Sequence, residues 1–233
     1  MSAVAPEEPA WRRRAVERST RGAGRPTPTA RVRAVQRAQR FVDSAHALVD
    51  EKETMEFTVQ EVVDRSRQTL RSFYEHFDGK HELQLAVFED ALSRSAAEIR
   101  SAAASVDDPL DALRLAVGTL YEQAHPGTGV RRALFSDFGP RLLLTHPAQV
   151  ATAHLPLLAV FTELVERAAR ADVVPAGAPG RRAGLVVQTV MSAARAHRVP
   201  ADGDMATATA NAEEVWRFCL GGLGGPYDVR PAP

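Results

Sequence analysis

Cysteine is almost missing from this chain. Cys219 is the only one in 233 residues, so no internal disulfide can form, which suits a reducing compartment. Aromatic residues are few, at 6%, so a core has to be built chiefly from aliphatic side chains. No apolar run approaches the roughly 18 residues that a bilayer crossing needs, and the N-terminal stretch lacks the apolar segment of a signal peptide. A cytoplasmic protein without membrane attachment is the expectation. Net charge is zero, with 29 basic residues against 29 acidic ones; taken whole, the balance points to no polyanion. Also missing are a Gly-rich phosphate loop, a Ser or Cys nucleophile elbow and a zinc-binding helix motif. His125, His146 and His154 do not fall at a metal-ligand spacing, and no cysteine joins them. No enzyme activity, cofactor or metal is therefore expected. Finally, no stretch alternates polar and apolar residues as a strand would, and there is no internal repeat.

What is present is uneven. Before position 41 the basic residues are Arg12, Arg13, Arg14, Arg18, Arg21, Arg25, Arg31, Arg33, Arg37 and Arg40, against Glu7, Glu8 and Glu17. From 41 to 100 acids outnumber bases. Such asymmetry is a footprint of polyanion contact, or else of a solvated basic tail. Pro6, Pro9, Pro26 and Pro28, several glycines and few large apolar residues predict a disordered arm over 1–30.

From Ala30 the period becomes helical. Val35, Ala38, Val42, Ala45, Leu48 and Val49 fall three or four apart. After a polar break at 52–56, Thr58-Val-Gln-Glu61 matches a capping box, in which the threonine oxygen accepts from a first-turn amide and the glutamate reaches back. A short helix with Val59, Val62 and Val63 follows. Ser66-Arg67-Gln68 interrupts it, and Thr69 caps a third helix, Leu70 to Phe77, that buries Phe73 and Phe77. Asp78-Gly79 reads as a stop. A long helix then runs from about Lys80 to Ala103, with Leu83, Val87, Phe88, Ala91 and Leu92 on its apolar stripe. Further helices are predicted from Pro109 to about His125, over Val130–Phe138 ending at Gly139-Pro140, over Pro147–Ala171 with a kink at Pro156, and over Arg181–His197 and Asp204–Leu220. The fold class is all-α, with about nine helices.

Short helices joined by a tight turn and followed by a long one describe a helix-turn-helix, whose second helix enters the major groove. The run Phe57-Thr-Val-Gln-Glu-Val-Val-Asp-Arg-Ser66, then Thr69-Leu-Arg-Ser-Phe-Tyr-Glu-His-Phe77 and Asp78-Gly-Lys-His-Glu-Leu83, resembles the DNA-binding domain of TetR-type regulators. Phe41-Val-Asp-Ser-Ala-His-Ala-Leu48 fits the preceding helix, so the specific likeness covers about residues 35–90. The resemblance implies a helix-turn-helix domain at 31–80, a helical ligand-binding and dimerisation domain at 81–225, and a disordered tail at 226–233. It implies a homodimeric repressor released from a palindromic double-stranded DNA operator by a small apolar ligand. Thr58, Tyr74, His76 and Lys80 would touch phosphates, which set register. Leu70, Arg71, Ser72 and Glu75 would lie nearest the base edges, with Arg71 placed to pair with guanine O6 and N7. Arg67 and Thr69, in the turn, belong to the same DNA-facing set. The sequence departs from the family where Gly-Val-Ser is usual and Arg67-Gln68-Thr69 stands, and where Glu53 replaces the glycine that ends the first helix. Arg21-Gly-Ala-Gly-Arg25-Pro26 loosely resembles an AT-hook, which would put the arm in a minor groove.

For the second half, the resemblance implies an apolar cavity on the middle helices, for which Tyr121, Phe135, Phe138, Leu142, His146, His154, Leu158 and Phe161 are candidates. It also implies a four-helix interface between the last helices of two copies, with Met191, Ala194, Val215, Phe218 and Leu220 as candidates. The rival reading is a helical interaction or ligand-binding protein that has lost sequence-specific DNA binding.

Overall fold

In a computed structural model of the chain, residues 9–20, 27–124, 138–196 and 205–225 are described, with side chains in the last stretch from 210 onward. Among the described residues the chain is all-helical, as expected, but holds eleven helices rather than about nine. They are α1 (Ala10–Ser19), α2 (Pro28–Lys52), α3 (Val59–Ser66), α4 (Leu70–His76), α5 (Lys80–Ala104), α6 (Pro109–Ala124), α7 (Gly139–Thr145), α8 (Pro147–Ala153), α9 (Leu155–Arg170), α10 (Pro179–Ala196) and α11 (Met205–Gly222). No single helix among them is long and apolar enough to cross a membrane.

The extra helices have local causes. The expected disordered arm contains α1, which buries Trp11, Ala15 and Val16 on one side; those positions fall on one helix face. Gly139-Pro140 opens α7, because proline in a first turn lacks only an N–H that would be unpaired anyway. The segment 147–171 is two helices rather than one kinked helix. Pro156 sits in the first turn of α9, where its ring would clash with the carbonyl four residues back if α8 ran on. The expected helix over Val130–Phe138, apart from Phe138 itself, and the tail at 226–233 lie outside the described residues.

Two compact units result. The first holds α1 to α4, α5 as far as Ser93, and α7 with α8; the second holds the remainder of α5, α6 and α9 to α11. The expected boundary at 80/81 thus moves into α5, at 93/94, and 139–154 joins the first unit.

The core of the first unit centres on three phenylalanines. Phe41 of α2 meets Phe73 of α4 edge-on at 5.5 Å and Phe77 at 6.2 Å. Val42, Ala45, Val49, Phe57, Val62, Leu83 and Val87 are buried in the same unit. In α5, Phe88 packs edge-on against Phe138 at 6.0 Å. The second unit packs α10 on α6 and α9, and α11 on α6. Arg100 pairs with Glu163 at 3.0 Å and Arg114 with Glu213 at 2.8 Å. Arg167 donates to the Val106 and Asp107 carbonyls, both at 2.6 Å, and so closes the end of α5. Cys219 is buried in this unit and its thiol is pushed up to about 11 by burial. At that pKa it is inert as a nucleophile.

Candidate nucleic-acid interface

The α3–turn–α4 pair is built as its residues dictate. Thr58 caps α3: its oxygen accepts from the Glu61 N–H at 3.2 Å, and Glu61 accepts from the Thr58 N–H at 2.8 Å, completing the capping box. Lys52 also donates to Glu61 at 2.5 Å. Hydrogen bonds from Lys52 and Thr58 hold the Glu61 carboxyl down at about 2. Thr69 caps α4 by accepting from the Ser72 N–H at 3.1 Å. Between them Arg67 takes a left-handed conformation, φ 53°, at the C-cap of α3. Glu53 does the same at φ 51° after α2. Both stand where the resembling family has glycine, so the family's turn survives here at a steric cost of roughly 1–2 kcal/mol per non-glycine residue. Gln68, in place of an apolar packing residue, donates its side-chain amide to the Arg37 carbonyl at 3.0 Å and ties the turn to α2.

The outward face of α4 carries what was expected there. Leu70, Arg71, Tyr74 and Glu75 are exposed and Ser72 is half-buried. The Arg71 side chain is 91% exposed and reaches Glu75 at 3.4 Å, a contact worth a few tenths of a kcal/mol at most in water (~0.3–0.5). Tyr74 stacks edge-on with Phe73 at 5.3 Å and leaves its phenol outside. Arg67 and Thr69 are exposed beside them.

Two of the expected phosphate contacts are engaged within the chain. Lys80 donates to Glu56 at 2.6 Å and lies over the Phe57 ring at 5.9 Å. That hydrogen bond pulls the Glu56 carboxyl below its usual range. Thr58 is exposed, but its hydroxyl also donates to Glu61 at 3.0 Å.

His76 is a correction: it was expected along the DNA face and is instead 2% exposed. The cause is α1, which packs on α2 and α4 and presents the Ala15 carbonyl to the imidazole Nδ1 at 3.5 Å. Burial lowers the imidazole pKa, and the positive charge of Arg37 adds to the shift. The seat of α1 is a line of acids. Glu89, 2% exposed, accepts the Trp11 N–H at 2.7 Å and so caps the free first turn of α1. It also receives Arg14 at 2.9 Å. Arg18 is bonded to Asp78, and to Glu82 at 3.1 Å. Desolvation still raises the Glu89 carboxyl above its usual range despite Arg14. The spacing of Trp11, Ala15 and Val16 between polar residues is the helical signal in the arm that the high proline and arginine content masks.

The candidate ligand residues divide between the units. In the first, Leu142 is buried, Phe138 and His154 are half-buried against Phe88, and His146 is exposed and stacked on His81 at 4.8 Å. His146 is thus a surface residue, not a cavity wall. In the second, Tyr121 and Phe161 are fully buried and Leu158 half-buried. The Tyr121 phenol, pushed up by burial, is hydrogen-bonded to Asn211. Phe135 and His125 lie outside the described residues, as does the AT-hook-like run at 21–26. A cleft of about 340 Å³ is lined by Val165, Ala169, Ala176, Pro179 and Arg182, none of them a candidate. No group of three or more metal-ligating side chains occurs among the described residues.

Of the candidate interface residues, Met191, Ala194, Val215 and Leu220 are buried in the chain's own second unit. Met191 and Ala194 lie on α10, which packs on α6 and α9, and Val215 and Leu220 on α11, which packs on α6 and α10; their burial within the unit corrects their assignment to a surface between copies. Phe218 points outward, 70% exposed, and so does Leu185 on α10, at 60%.

No protein-family model matches the chain, and no curated protein matches it either. Solved structures do. RolR in complex with its ligand resorcinol superposes with a TM-score of 0.64 at 14% identity, over 82% of this chain and 89% of RolR. A TetR-family transcriptional regulator from Pectobacterium atrosepticum gives 0.60 at 18%, over 81% and 93%. The fatty acid degradation regulator FadR from Bacillus halodurans gives 0.59 at 15%, over 87% and 100%. The all-α fold of this chain is therefore the fold of these regulators, from the helix-turn-helix through the C-terminal helices.

Proposed function

We propose that this chain is a DNA-binding transcriptional regulator of the TetR type, a homodimer whose hold on an operator is set by a small apolar ligand. The observation that carries the reading is the α3–α4 pair. A capped helix, a left-handed turn and a second capped helix present Arg71, Tyr74 and Arg67 on one exposed face. A guanidinium there suits bidentate pairing with guanine, and a phenol suits a phosphate oxygen. The fold shared with known regulators supports the same conclusion.

A dimer is supported by α10 and α11, which leave the large apolar side chains of Leu185 and Phe218 exposed while Val186, Val187, Val190, Met191, Val215, Trp216 and Leu220 are buried. Large apolar side chains left in water on neighbouring helices are what a helix-pair interface buries. A small-molecule ligand is supported by the fold neighbour that holds resorcinol, an aromatic ring bearing two hydroxyls. No catalytic role is assigned to any residue, and a cytoplasmic location follows from operator binding. Ligand would act by favouring one of two dimer states, and its effect is limited to its differential affinity for them.

A gel shift of the full chain on the promoter of its own gene tests the reading. A retarded band that weakens with salt, and weakens further for Arg71→Ala and Tyr74→Ala, is expected. An interaction protein that has lost DNA binding would give no salt-sensitive band on any promoter fragment.

A further inference from the structure

The first half of α2 carries an unused row of charge. From Pro28 to Val42 there is no acidic residue, while Arg31, Arg33, Arg37 and Arg40 are all exposed. At 100° per residue, Arg33, Arg37 and Arg40 fall within about 60° of one another, so they form one stripe rather than a scatter. The stripe flanks the buried line Ala34, Ala38 and Phe41. Among the described residues none of these three guanidiniums has an ion-pair partner. Arg14 and Arg18 on α1, by contrast, are paired with Glu89, Glu82 and Asp78.

Two further features say what the stripe faces. First, the helix begins with no acid in its first turn. No side chain of the helix itself offsets the positive charge at this end of α2 before Asp43. Second, the Arg37 carbonyl holds the Gln68 amide, so the stripe runs beside the Arg67 turn of the helix-turn-helix. Helix α1 braces this part of α2, since Arg12 donates to Gln39 at 3.0 Å and Ala34 and Ala38 are buried.

We propose that Arg33, Arg37 and Arg40 form a phosphate-binding rail that grips the DNA backbone flanking the bases read by α4. The proposal rests on the DNA-binding reading above and adds a second contact line to it. From Arg33 to Arg40 the helix rises about 10 Å, the axial length of about three phosphates of one strand. The apolar face of α2 is turned into the core, so the helix has no apolar side to lay into a lipid surface, as an interfacial helix requires. Charge complementarity with a regular polyanion is what remains.

The rail carries no base-reading geometry, so it contributes equally on any sequence. The test uses the full chain and a random-sequence duplex of about 30 base pairs, with fluorescence anisotropy from about 50 to 300 mM KCl. Replacing all three arginines (R33Q, R37Q, R40Q) is expected to flatten the slope of log K against log salt by about 2–3, near 0.9 per lost phosphate contact. Arg217→Gln, on α11, leaves the slope unchanged. The triple variant must melt like the wild type by circular dichroism; should it not, Arg37→Gln alone is read, with a change of about one. A wild-type slope kept by the folded variant overturns the rail while leaving the DNA-binding reading intact. Absence of salt-dependent binding by the wild type defeats both. Loss of binding to phosphatidylserine vesicles with duplex binding unchanged would assign the stripe to a lipid surface and also overturn the proposal.

Discussion

Helices α1 and α2 are neighbours in sequence and alike in composition, yet their arginines have opposite fates. Arg14 and Arg18 of α1 turn inward to Glu89, Glu82 and Asp78 and fasten the helix to its seat. Arg33, Arg37 and Arg40 of α2 stay in solvent, with no acid on their own helix before Asp43. Charge counted along a sequence is therefore not charge available to a partner. Arg14 and Arg18 are structural cations, spent on an acidic line from a segment sixty and more residues away, and in the proposed reading Arg33, Arg37 and Arg40 are left for DNA.

The strongest way to break this contrast is to remove what holds α1 down. Trp11 is 1% exposed, and Trp11→Ala should cost about 3 kcal/mol of the docking of α1. Limited trypsin digestion would then cut readily after Arg14 and Arg18, where the wild type resists. Equal cutting of both proteins would mean that α1 is not seated as described.

A smaller effect compares the two rows directly. Arg14→Gln strips a buried carboxylate of its cation and is expected to cost about 2 kcal/mol in urea denaturation. That is below the roughly 3–5 kcal/mol of a fully buried pair because Arg14 is itself partly exposed. Arg37→Gln should change stability by less than about 0.5 kcal/mol. Similar losses for the two would erase the distinction.

The third effect is titration. Burial under α1 lowers the His76 pKa from 6.5, so the folded protein keeps the imidazole neutral while the unfolded chain takes the proton. That stability is complete above about pH 6.5 and drains as pH falls through the folded value, at up to about 1.4 kcal/mol per pH unit. Glu89 works the other way: its folded pKa is raised, so its protonation at lower pH favours the folded state. Comparing wild type with His76→Gln between about pH 7.5 and 5.5 isolates the imidazole. The wild type should weaken more steeply; parallel curves would mean that His76 is not covered.

The smallest effect concerns the turn beside the rail. Arg67→Gly relieves a left-handed residue but loosens the unfolded chain, for a net gain of about 0.5 kcal/mol. A clear loss of melting temperature would show that the arginine side chain supports the turn.

These contrasts also explain how much was legible in the sequence. Thr58 with Glu61, Thr69 before α4 and the start of α5 at Lys80 are local signals, complete within four residues, and the helices they predict are present. Arg67 and Glu53 stand out because they occupy positions where the resembled family has glycine, and both backbones are left-handed. The seat of α1 could not be read this way. Its N-terminal cap comes from Glu89, 78 residues away, and so the burial of His76 was hidden as well. On α10 and α11 the apolar residues were visible, but a helical period does not say which face looks inward. Met191, Ala194, Val215 and Leu220 point into the unit, and Phe218 and Leu185 point out.

The most direct test of a dimeric DNA reader is hydroxyl-radical footprinting of the full chain on a promoter fragment that it retards. The account predicts two protected half-sites on one face of the duplex, about 34–36 Å or a multiple apart, with extra backbone protection outside each one that disappears in the R33Q, R37Q, R40Q variant. Uniform protection, or none at any protein concentration, would contradict it.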